Sequence, residues 1–201
     1  MEINIKLNGI RHKNLETLKN SVDPDISSFL QEWYDSHDHV IGHTSGSTGI
    51  PKEIRLLKKD MIASARLTNE FFNIRPSSNL LLCLSPKYIA GKMMIVRTIL
   101  SGANLITVKP SSSPLQNITE DIDFAALVPM QVATSLSSPD TATKLARVKQ
   151  IIIGGAAVSP TLEQQLQQIP TACYGTYGMT ETVSHIALRQ INGEGNSPYY
   201  F

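Results

Sequence analysis

The chain has few of the features that would place it in a specialised class. It contains only two cysteines, Cys83 and Cys173, far apart and each beside an apolar run. That excludes a disulfide framework and a cysteine zinc site, and leaves two buried free thiols as the expectation. Charge of one sign is also missing: 18 Lys and Arg stand against 17 Asp and Glu, for a formal net charge of +1. Such a chain carries no electrostatic footprint for nucleic acid or an anionic membrane, so any anion it binds must be held locally. No apolar run approaches the roughly 18 residues that would span a bilayer. The first residues lack the apolar segment of a secretory leader, so no membrane span and a cytoplasmic location are expected. With 41% hydrophobic and 17% charged residues over 201 positions, the chain is rich enough to bury one substantial core.

The pattern along the chain predicts an α/β layered domain. Ile3, Ile5 and Leu7 alternate with polar residues before an Asn8-Gly9 turn, which predicts a short N-terminal hairpin. Ile26, Phe29, Leu30, Trp33 and Tyr34 fall at helical spacing, with their aromatic face toward a core. These make a first part over about 1–40, followed by a main part over 41–201. Val40 to Lys52 reads as a polar loop feeding a helix over 59–72. Four short apolar runs at 80–84, 104–108, 124–128 and 151–153 predict buried strands, and the apolar stretch 93–100 a buried helix between them. Residues 109–117 form an internal linker.

Two segments carry chemistry. The first is Thr44-Ser45-Gly46-Ser47-Thr48-Gly49-Ile50-Pro51-Lys52, with four hydroxyls, two glycines and a lysine in nine residues. Glycines admit backbone N–H groups to an anion, hydroxyls add donors, and lysine adds a point charge. The spacing is not that of a Walker loop, which places four residues between its glycines and lysine directly after the second. Composition alone would also suit a flexible Ser/Gly linker. The second segment is Tyr177-Gly178-Met179-Thr180-Glu181. An aromatic face suits a base, a hydroxyl suits a phosphate oxygen, and a carboxylate suits Mg²⁺. Taken alone, it equally suits a tight turn capping a helix.

In order and spacing, the two segments resemble the two signatures of the adenylate-forming superfamily of acyl-CoA synthetases and adenylation domains. The resemblance implies the layered core of that superfamily's large N-terminal domain, with ATP and Mg²⁺ as ligands and coenzyme A as cosubstrate. It gives Thr44, Ser45, Gly46, Ser47, Thr48, Gly49 and Lys52 to the phosphates. Tyr177 is implied to lie on the adenine, Gly178 and Thr180 at the nucleotide, and Glu181 on the metal, with Thr180, Glu181 and Lys52 as the catalytic set. Gly154, Gly155 and Ala156 would border adenine and acyl group, although a plain strand-to-helix turn uses the same residues.

The segment Leu84 to Lys92 resembles the acyl-pocket region, with Tyr88 where a gating histidine often stands. Together with FAALVPMQV, IIIGGAAVSP and YGMTETVSHIAL, it is most similar to the o-succinylbenzoate-CoA ligase family of menaquinone synthesis. Aryl-CoA ligases and amino-acid adenylating enzymes are the alternatives. A dicarboxylate substrate would need a second, cationic anchor. Lys92 is the first candidate because it follows Gly91 and opens the buried run; Lys87 and Arg97 are the others, and each also suits a solvated surface charge. Tyr88, Lys92 and Gly155 are thus the expected acyl-site residues. His185, Asp121 and Asp123 read as structural. By the same resemblance, a mobile C-terminal domain carrying a catalytic lysine would follow Phe201, leaving the chain itself as a nucleotide-binding part with little turnover. A homodimer fits the family.

Overall fold

The computed structural model describes residues 2–44, 52–194 and 197. Its frame is an eight-stranded sheet ordered β10-β9-β8-β7-β5-β6-β1-β2. Strands β1 (Glu2–Leu7), β5 (Asn79–Leu82), β6 (Asn104–Thr107), β7 (Phe124–Leu127), β8 (Gln150–Ile153) and β9 (Ala172–Gly178) run parallel, while β2 (Ile10–Asn14) and β10 (His185–Gln190) close the two edges antiparallel. The α/β reading of the sequence is therefore the observed fold class.

Local chemistry explains the start. Asn8 and Gly9 both take positive φ, 45° and 84°, as a two-residue hairpin turn requires. The Asn8 side chain then accepts the Thr107 N–H at 2.9 Å and donates to the Thr107 hydroxyl at 3.0 Å. The hairpin is thereby stitched to β6 and joins the main sheet.

Alternation along the central strands splits the core in two. Leu80, Leu82, Leu105, Phe124, Ala126 and Ile152 face one side, with α1 (Leu15–Lys19), α2 (Pro24–Tyr34), α3 (Lys58–Phe71) and α4 (Ile89–Ser101). Leu81, Cys83, Ile106, Ala125, Leu127, Ile151 and Ile153 face the other, with α5 (Pro129–Leu136), α6 (Pro139–Arg147) and α7 (Pro160–Leu166). Helices on both faces explain why these strands read as continuous apolar runs. Asp123 accepts the Asn79 N–H at 2.7 Å and pairs with Lys149, the structural role expected for it. Both cysteines are free and buried, and burial pushes each thiol up to about 12.

One reading of the sequence needs correction. Val40 to Lys52 is not wholly a loop, because β3 (His39–Thr44) and β4 (Lys52–Leu57) form a separate antiparallel hairpin. Its strands were obscured by a glycine in β3 and by three charges, Lys52, Glu53 and Arg55, in the first four positions of β4, which leave little apolar period to detect. No helix among the described residues is long and apolar enough to cross a membrane.

Candidate active site

In an open parallel sheet, the crevice forms where neighbouring connections leave in opposite directions, beyond the carboxyl ends of the strands. Here β5 lies between β6 and β7, and that reversal marks the place. A cavity of about 870 Å³ opens there. Its floor comes from the residues just past each strand: Cys83 to Ser85 after β5, Val128 after β7, and Gly154 and Gly155 after β8. One wall is α4, through Ile89, Ala90, Met93 and Arg97; the segment Gly178 to His185 supplies another and meets α4 through Arg97 and Ser184.

That second segment is shaped by close approach. A Cβ on Gly178 would lie 2.5 Å from the Cα of His185, so only glycine lets β9 and β10 meet there. Between them Thr180–Thr182 makes a single 3-10 turn. The Thr182 hydroxyl accepts the Met179 N–H at 3.0 Å and lies 2.8 Å from the Ser184 carbonyl. Val183 then takes φ +68°, a left-handed conformation that costs a β-branched residue of the order of 1–3 kcal/mol. The YGMTE segment is thus a strand end and a tight turn, followed by a strand.

The phosphate-type loop is reached from the other side. Thr44 and Lys52 pair at the loop end of the β3–β4 hairpin, and Lys52 lines the cavity. Ser45, Gly46, Ser47, Thr48 and Gly49 lie outside the described residues. Gly42 of β3 abuts the site: a Cβ there would stand 3.1 Å from Cγ2 of Thr180 and 2.8 Å from Cδ1 of Leu56.

Of the residues singled out in the sequence, Lys52, Tyr88, Gly154, Gly155, Gly178, Thr180 and Glu181 converge on the cavity. Tyr88 stands at the rim, 66% exposed. Tyr177 is exposed at the end of β9, and neither it nor Ala156 lines the cavity. Glu181 is exposed at the rim, and no ion pair among the described residues includes it. No group of three His, Cys, Asp or Glu side chains able to hold a metal exists among the described residues.

The three candidate cations part company. Lys87 is exposed and pairs with Asp25 at 3.3 Å. Lys92, the first candidate from sequence, is turned away from the cavity: its Nζ meets Glu32 at 2.8 Å and lies 4.7 Å from the Phe29 ring centroid. Position beside Gly91 was the wrong guide, since α4 presents successive residues to different faces. Arg97 is the cation in the cavity wall.

Arg97 is 1% exposed. Its Nη2 donates to the Ser184 hydroxyl at 2.9 Å, its Nη1 lies 3.6 Å from the Met94 sulfur, and its Nε has no hydrogen-bond partner. No ion pair among the described residues includes it. Burial lowers its pKa only to about 10, so it remains a cation at neutral pH. Burial and then the Arg97 charge hold the His185 imidazole down to about 4, so that ring is neutral. Because the guanidinium only donates, Ser184 accepts from it, and the same hydroxyl lies 3.3 Å from His185 Nδ1. His185, read as structural from sequence, therefore lines the cavity as part of this chain of contacts. Ser184 and Gly42 had no distinctive sequence signal beyond, for Gly42, a glycine within a strand just before the loop.

The fold and the site together define the core of the large domain of an adenylate-forming enzyme. The chain belongs to the AMP-binding enzyme family, whose profile matches residues 6–199. It is similar to an acyl-CoA synthetase (AMP-forming)/AMP-acid ligase II-like protein from Dyadobacter fermentans, with a TM-score of 0.83 and 35% identity over 92% of this chain and 54% of that one. It is also similar to the 2-succinylbenzoate–CoA ligase of Salmonella typhimurium, 29% identical over 150 residues, which is 75% of this chain and 32% of that protein. The o-succinylbenzoate coenzyme A synthetase of Bacillus subtilis, in complex with ATP and magnesium ion, shares the fold at a TM-score of 0.65 and 22% identity, covering 79% of this chain and 35% of that one. The chain thus spans about a third of the curated relative it matches.

Proposed function

We propose that this chain is the nucleotide- and acid-binding part of an ATP-dependent carboxylate–CoA ligase, acting through an acyl-adenylate, and that its acid is o-succinylbenzoate. The observation that carries the reading is Arg97, a buried cation without a carboxylate partner in the wall of a cavity whose rim holds Lys52, Thr180 and Glu181. A buried charge is costly unless an anion meets it. In a dicarboxylate substrate one carboxylate is activated at the nucleotide, and the other lies against Arg97, oriented with help from Ser184. The kinship to 2-succinylbenzoate–CoA ligases supports that choice of acid.

The reaction is attack of a carboxylate oxygen on the α-phosphorus of ATP, with loss of pyrophosphate, followed by displacement of AMP by the thiol of coenzyme A. No protein nucleophile is needed; the chain's work is positioning and electrostatic stabilisation. Lys52 and the hydroxyls Thr44, Ser45, Ser47 and Thr48, with the backbone of Gly46 and Gly49, hold the phosphates. Thr180 contacts the α-phosphate, Tyr177 and Gly178 border the adenine, Gly154 to Ala156 separate base from acyl group, and Tyr88 closes the acyl end. Glu181 would hold Mg²⁺, which when bound would spread the negative charge of the phosphates. An amino-acid substrate fits poorly, because its ammonium would share the cavity with Arg97, and Glu181 at the rim is the one carboxylate among the described lining residues.

The test is magnesium- and ATP-dependent adenylate formation with o-succinylbenzoate beside benzoate and a fatty acid, using the chain and its full reading frame. Selective turnover of o-succinylbenzoate supports the proposal. Preference for another acid overturns the substrate, and no turnover by the folded full-length protein overturns the activity.

A further inference from the structure

Lys92 does not serve the cavity, yet it is buried, charged and carried by the same helix that forms the cavity wall. Its partner, Glu32 of α2, makes a second contact: one carboxylate oxygen accepts from Lys92 Nζ, and the other accepts the backbone N–H of Ile41 in β3. We infer that Glu32 is a positioning residue that holds the β3–β4 hairpin at a set place relative to α4, and so sets the phosphate side of the site against the acid side.

The topology supplies the reason. The hairpin belongs to its own two-stranded sheet, so no ladder of the main sheet places it. Val40 and Leu56 hold it by apolar burial, which is not directional. Lys58, directly after β4, contributes a polar tie at the far end, to Asp35 at the end of α2 at 2.8 Å. The Glu32 contact lies closer to the site, one residue before Gly42, which abuts Thr180, and three before Thr44. On α4 it grips Lys92, adjacent to Met93 of the cavity wall and five residues before Arg97. The ion pair is shielded, with side-chain exposure of 8% for Lys92 and 26% for Glu32, and Phe29 lies against the ammonium. Such a pair resists solvent screening and holds a defined geometry.

This inference deepens the proposed function and rests on it for its kinetic consequence, but its structural consequence is measured without turnover. Hydrogen exchange is followed in the Lys92→Met, Glu32→Gln and Glu32→Ala variants. Lys92→Met removes only the α4 end of the tie. It is expected to speed exchange at least threefold in β3, at Val40 to Gly42, as well as in the first turn of α4. Acceleration confined to α4 overturns the inference. Glu32→Gln keeps an oxygen for the Ile41 N–H and should fall between wild type and Glu32→Ala; equality with Glu32→Ala overturns the two-ended contact.

In adenylate formation, Glu32→Gln is expected to lower kcat about tenfold per folded molecule while changing KM for ATP and for the acid less than threefold each. A purely structural role would lower the folded fraction and leave kcat per folded molecule unchanged, which overturns the positioning role. If wild type forms no adenylate, the proposed function fails, and the exchange pattern alone decides whether the tie exists.

Discussion

Helix α4 carries two buried cations five residues apart, and the surroundings of the two are opposite. On the side facing α2, Lys92 has a carboxylate at 2.8 Å and an aromatic ring beneath it. On the side facing the cavity, Arg97 also lies near a ring, 5.9 Å from the Phe124 centroid, but has only a hydroxyl and a sulfur as polar contacts, no carboxylate, and an Nε without a partner. Both charges are costly to bury, but only the first is compensated within the described residues. The compensated charge belongs to the frame; on the proposed function, the uncompensated one beside the cavity meets the acid. The planar guanidinium also suits a carboxylate better than an ammonium does, because it offers two parallel N–H bonds.

The largest expected effect is on the cavity side. Arg97→Gln should lower kcat/KM for o-succinylbenzoate by about 100-fold, equivalent to roughly 3 kcal/mol of lost charge-assisted contact, while leaving turnover of a monocarboxylate within a few-fold. Equal losses for both acids would erase the distinction between the two faces. Protein stability should hold or rise, since the variant removes a buried charge that lacks a partner ion.

On the frame side the order is reversed. Lys92→Met should cost stability, about 2 kcal/mol in urea unfolding, a figure reduced from the full penalty of a broken buried pair because Glu32 keeps some solvent access. Its preference among acids should not change. A variant that switches acid preference without losing stability would exchange the roles of the two residues.

Smaller still is Gly42→Ala, which adds a methyl into the contact between the hairpin and Thr180. Overpacking of this size costs about 1 kcal/mol, and because flexible side-chain ends meet the methyl, the fold should survive. The expected signature is a several-fold rise in KM for ATP, read in steady-state kinetics.

The pH dependence sharpens the same contrast. His185 is held down to about 4 by burial and then by Arg97, against an ordinary value of 6.5. As pH falls, the unfolded chain takes up this proton first, so stability declines from about pH 6.5 to about pH 4 and this contribution then levels off. His185→Gln should flatten that part of a urea midpoint against pH profile. Arg97→Gln should raise the low-pH limit of the decline, narrowing it, by removing the secondary cause, and an unchanged profile in both would sever the link between the two groups.

Much of this was legible in the sequence, for a physical reason. Strands buried on both faces are written as apolar runs, so β5, β6, β7 and β8 were visible, and α2 and α3 were visible through their 3.6-residue period. The hairpin β3–β4 was not, and β9 and β10 were not singled out as strands, since Gly, Thr and charged residues interrupt their apolar spacing. The two signature segments were recognisable because their chemistry is local: hydroxyls, glycines and a carboxylate act within a few residues of chain. The roles of Lys92 and Arg97 were not local. Both are cations in one apolar helix, and no spacing rule distinguishes them. Only the tertiary structure, by placing the carboxylate of Glu32 against one and the cavity against the other, decided which charge is paired within the frame and which faces the cavity.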